Sequence, residues 1–124
     1  MIRTLIFVGL GGGAGSIFRY LISVTANKHF HASFPWGTFA VNILGCLLVG
    51  VLLGIFERQQ LTNPDLKFLF ITGFCGGFTT FSTFASENIN LFQSGQTLTA
   101  ILYIVSSVIV SLLAVWLGFI LTKL

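Results

Sequence analysis

Carboxylates are nearly missing from this 124-residue sequence: Glu57, Asp65 and Glu87 are the only ones. Lysines and arginines number six, and charged residues make up 7% of the chain. A soluble domain carries roughly a quarter. So little charge, with 55% hydrophobic residues and a mean hydropathy of +0.98, excludes a soluble fold and makes this an integral membrane protein. The net charge of +3 is spread over termini and loops without a basic stripe, which excludes a nucleic-acid footprint. Cysteine is equally scarce. Cys46 and Cys75 lie in separate apolar stretches with no CxxC or Cys/His spacing, and they read as buried free thiols. No nucleophile–base pair or metal-ligand cluster appears, so the chain is not expected to be an enzyme.

What the sequence has in quantity is uncharged length. Runs without charge fall at 4–18, 32–56, 68–86 and 88–122. With about 20 residues needed to cross a bilayer, they predict four helices over 4–26, 36–56, 67–92 and 97–122. The expected class is an all-α, multi-pass membrane protein whose single transmembrane domain fills 1–124, without a soluble domain or linker. The first span lacks a polar, small-residue cleavage region and reads as a retained helix. Arg3, Arg58, Lys67 and Lys123 fall on the side of the termini against Lys28 on the other, which favours termini inside. Arg19 softens that bias.

Gly9-x-Gly11-x-x-Ala14 in the first span formally matches a dinucleotide fingerprint. That fingerprint needs a βαβ setting, whereas this run is apolar throughout and suits close helix packing. Arg19 lies roughly 22 Å along the span. It either snorkels or stands as a cation at a pore mouth. In the second span, Pro35 suits a helix start and Trp36 an interface. Asn42 stands alone among apolar residues, sharing a face with Thr38 and Gly45. Its amide either bonds a neighbouring helix or donates to a dehydrated anion. Gly50 and Gly54 offer a packing surface. In the fourth span Tyr103, Ser107 and Ser111 recur every fourth residue, a polar track that fits an ion path as well as packing.

The third span is the strangest. Residues 73–84 read GFCGGFTTFSTF, with three glycines, four hydroxyls and four phenylalanines in twelve positions. Glycine disfavours helix, so the span is expected to break at its glycine-rich middle, near Gly76–Thr79. At roughly 100° per residue, Phe78, Phe81 and Phe84 share one side, opposite Thr79, Ser82, Thr83 and Ser86 with Thr80 at the margin. A phenylalanine stripe alone usually faces lipid. Non-helical backbone at membrane depth, however, is tolerated only within protein or against a cavity. Broken helices place carbonyls and helix ends where ions bind, while donors and aromatic edges suit an anion.

GGGAGSIFRY, PWGTFAVNILG and GFCGGFTTFSTF, in that order and spacing, closely resemble signatures of the Fluc (CrcB-like) family of microbial fluoride channels, over nearly the whole chain. The resemblance implies an antiparallel homodimer in the lipid bilayer of the cell membrane, with two fluoride pores built from both subunits. It implies that Phe81 and Phe84 offer ring edges to fluoride, with Asn42, Thr38, Ser82, Thr83, Tyr103, Ser107 and Ser111 along the path and Arg19 at the vestibule. It also implies a central structural sodium ion on the backbone carbonyls of Gly76 and Thr79. The implied function is passive export of fluoride. The alternative is a small four-helix proton-coupled exporter of cationic drugs, which needs a titratable intramembrane carboxylate. The first, second and fourth spans contain none, and Glu87 lies near the end of the third.

Overall fold

A bilayer offers the backbone no hydrogen-bond partners, so apolar runs satisfy their own groups as helices. The computed structural model describes residues 1–124 and is all-helical. Helix α1 is Ile2–His29 and α2 is Trp36–Arg58. The third span opens with α3, Pro64–Lys67, which runs into a π-helix over Phe68–Cys75 and one turn, α4, over Gly76–Phe78. It resumes as α5, Phe81–Gln93, and α6 covers Thr97–Leu121. Four stretches are long and apolar enough to cross a membrane: Ile2–His29, Trp36–Arg58, Pro64–Gln93 and Thr97–Leu121.

Local chemistry sets the helix ends. Lys28 lies in the last turn of α1, where a cation complements the helix dipole. Asn63 caps α3 by accepting the Asp65 N–H at 3.0 Å, and Pro64 takes the first helical position. Arg3 pairs with Asp65 at 2.8 Å, but the arginine is largely exposed and the pair adds little stability.

Packing runs through missing side chains. A Cβ on Gly11 would meet the Leu69 carbonyl, and one on Gly15 the Phe74 carbonyl. From the other side, Gly77 leaves no room against the Gly12 carbonyl. The glycine-rich run of the first span is thus a close-packing surface inside α1. Gly50 and Gly54 do the same for α2 against Val115 and Thr122, with Gly118 of α6 against Leu47.

Between α4 and α5, Thr79 (φ −84°, ψ 158°) and Thr80 (φ −148°, ψ 121°) are extended. The break expected near Gly76–Thr79 meets the structure only at its Thr79 end. Gly76 is instead helical, at φ −62° and ψ −37°, and a Cβ there has room. Glycine permits a non-helical backbone without requiring it. Here Gly77 serves close approach, and the extended residues are the threonines that follow.

Candidate functional site

The extended pair sits where a side chain from α2 replaces backbone. Asn42 Oδ1 accepts the Thr80 N–H at 2.8 Å, and its Nδ2 donates to the Thr80 carbonyl at 3.1 Å. In a continuous helix the Thr80 N–H would serve the Gly76 carbonyl. Likewise the Thr83 N–H, which would serve Thr79, is taken by Thr80 Oγ1 at 3.3 Å, the cap that starts α5. The Gly76 and Thr79 carbonyls therefore lose the donors an unbroken ladder supplies.

Of the two carbonyls between them, that of Gly77 has side-chain partners. Arg19 Nε donates to Gly77 O at 3.0 Å, and Ser16 Oγ approaches it at 3.5 Å. Arg19 thus reaches inward onto backbone from α1 rather than only toward the interface. A charge-assisted bond to a freed carbonyl at this depth offsets a costly vacancy in the ladder.

Next to this junction lies a cavity of about 330 Å³. Asn42, Thr79, Thr80, Phe81, Phe84, Ser107 and Ser111 line it, together with Cys46 and valines. Three elements supply these groups: α2, the third span and α6. The rings of Phe81 and Phe84 stand 5.6 Å apart. Phe84 is buried, but Phe81 is 78% exposed on the single chain. Ser107 Oγ is buried with no hydrogen-bond partner, a hydroxyl left free beside the cavity.

Beyond Phe84 the pathway candidates change character. Tyr103 is fully buried, its ring 4.9 Å from that of Phe84. Its hydroxyl donates to Glu87 Oε1 at 3.0 Å, and the buried Thr38 adjoins both groups. Ser82 and Thr83 do not line the cavity. Their hydroxyls cluster with that of Thr80, at 3.4 and 3.2 Å, in the α5 cap. Phe78 also leaves the expected aromatic face, because the extended residues reset the helical phase before Phe81. It stacks on Phe74, 5.8 Å away at 10°.

Sequence reasoning gave no role to Glu87, Ser16 or Gly77. Glu87 was visible as the one carboxylate inside a span, but its partner Tyr103 lies sixteen residues away on another helix. Nothing local marks Ser16 or the Gly77 carbonyl.

Four apolar membrane-crossing helices make this a multi-pass protein of the cell membrane. The model of the CrcB-like protein family (Camphor Resistance, CrcB) matches residues 6–119. A relative from Flavobacterium psychrophilum named fluoride-specific ion channel FluC is 50% identical over 121 residues, 98% of either chain. Relatives of the same name from Azobacteroides pseudotrichonymphae and Phocaeicola vulgatus are each 45% identical. The first covers 99% of this chain and 98% of its own, the second 94% and 95%. The chain belongs to the CrcB-like family.

Proposed function

We propose that this protein is a passive fluoride channel that lets the anion leave the cell, working as an antiparallel homodimer with two pores. The observation that carries the reading is the single cavity gathering Asn42, Phe81, Phe84, Ser107 and Ser111 from separate elements. A small dehydrated anion needs donors and polarised edges in place of water. Asn42 Nδ2 has two hydrogens and uses one on Thr80, which leaves the other for the ion. The free Ser107 hydroxyl and the ring edges of Phe81 and Phe84 supply further contacts, and Ser111 continues the track. Arg19 adds positive charge at the approach. Tyr103 and Thr38, at Glu87, continue the path beyond Phe84. Relatives named as fluoride channels add support.

Exposure of Phe81 on the single chain favours a second subunit that encloses the open side of the cavity. The implied sodium ion fits the donors present. Gly76 and Thr79 carbonyls are hard oxygen ligands relieved of their ladder donors. When bound, the ion would supply positive charge and a tie between subunits. Asn42 and Thr80 Oγ1 hold the backbone so that these carbonyls stay free. Gly76 itself presents its carbonyl from helical backbone, and Thr79 from extended backbone.

The test is efflux from proteoliposomes read with a fluoride electrode, with chloride as competitor. Rapid fluoride release with chloride retained is expected. Equal release of both anions, or neither, rejects the reading.

A further inference from the structure

A second cavity, about 380 Å³, lies beneath the α1–α2 connection and is lined in part by Asn27, Phe34, Glu87, Asn90 and Ser94. Phe84 borders the first cavity and Glu87 the second, and the buried Tyr103 touches both residues. Phe34 belongs to the connection, outside any helix. Residues 31–33 just before it are exposed, yet Phe34 turns inward. Its ring stands 5.2 Å from Tyr103 at 72°, an edge-on contact, and 5.2 Å from Phe39. Trp36 packs on its other side at 4.5 Å.

An interfacial aromatic would need none of these contacts. Glu87 and Thr38 meet the Tyr103 hydroxyl at its tip, while the ring itself is held between two aromatic neighbours, Phe34 and Phe84. We propose that Phe34 is a positioning residue that wedges the Tyr103 ring so that its hydroxyl stays on Glu87 between the two cavities. The role rests on the channel reading, because only there does the direction of that hydroxyl set a transport rate. Without Phe34, the ring gains a void large enough to turn into. Its hydroxyl then leaves Glu87.

The test uses the full-length protein. Phe34→Ala is expected to lower fluoride efflux about five- to tenfold, the weight of one aromatic edge contact expressed as a rate. Phe34→Leu, which keeps most of the volume against the ring, recovers most of the parent's rate. In a Tyr103→Phe background the hydroxyl is already gone, so Phe34→Ala adds no further loss. Fluorine NMR gives a readout independent of transport. In Tyr20→Phe protein carrying fluorotyrosine, Tyr103 alone reports, and its resonance moves on Phe34→Ala. Phe34→Val shows the same effects at smaller amplitude and serves if the alanine variant does not assemble. An undiminished loss in the Tyr103→Phe background, or a resonance that stays in place, overturns the proposal. A parent protein that carries no fluoride rejects the channel reading alone, and the resonance still decides the positioning of Tyr103.

Discussion

The side-chain amide of Asn42 pairs with Thr80 as a strand would, accepting the N–H at 2.8 Å and donating to the carbonyl at 3.1 Å. Asn42→Asp keeps the shape and the acceptor but loses the donor and adds a negative charge. In a low-dielectric passage that charge repels an anion. Fluoride efflux from liposomes is expected to fall more than about tenfold, with about 1–3 kcal/mol of stability lost from the bond to Thr80. Efflux at the parent's rate removes Asn42 from the pathway.

Phe81 and Phe84 separate transport from stability. Phe81 is 78% exposed on the single chain, whereas Phe84 is buried against Tyr103. Phe81→Ile is expected to suppress fluoride efflux while leaving the fold of each chain unchanged. Phe84→Ile removes a buried aromatic pair as well, a loss of about 0.5–1.5 kcal/mol. Thermal unfolding in detergent alongside efflux checks both. Unchanged efflux in the two variants makes them packing residues only.

Ser107 offers a sharper test, because its buried hydroxyl bonds to nothing in the protein. Burying an unpaired hydroxyl costs about 1–3 kcal/mol. Ser107→Ala is therefore expected to leave the protein as stable or more so, yet to slow fluoride. A residue kept for packing alone shows the opposite: lower stability and an unchanged rate.

Gly76 and Gly77 are neighbours with opposite tolerance. A Cβ on Gly76 meets only the Ile71 carbonyl at 4.0 Å, while one on Gly77 runs into the Gly12 backbone. Gly77→Ala should cost about 1–3 kcal/mol or more from overpacking, and Gly76→Ala little in the single chain. Unfolding midpoints in detergent decide this, and equal midpoints contradict the packing described.

The long apolar runs made the four helices legible, because a bilayer leaves a chain of this composition few other conformations. Asn42, Ser107 and Ser111 were legible as polar side chains in apolar surroundings. The place where helical backbone stops was legible only coarsely, since Thr79 falls within the expected stretch while Gly76 stays helical and Thr80 lies beyond it. Glycine marks weakness within one segment, whereas the extended residues follow from Asn42, thirty-eight positions away from Thr80. That one shift moved Phe78 off the face of Phe81 and Phe84, which a continuous 100° rotation had assigned to it. Arg19 was legible as a costly charge, but its acceptor is a backbone carbonyl on another helix, and sequence marks no carbonyl as free.

The glycine seams join α1 to the third span and α2 to α6, and neither pair is consecutive along the chain. This has a consequence for biogenesis. A nascent hairpin of α1 and α2 holds one open seam on each helix, and the last of them has no mate until α6 leaves the ribosome. Closure is therefore governed by contacts of long sequence separation, the slow class. A chain cut after Gln93 would reach the bilayer with the Gly50–Gly54 face of α2 bare, a ready surface for quality-control proteases to find.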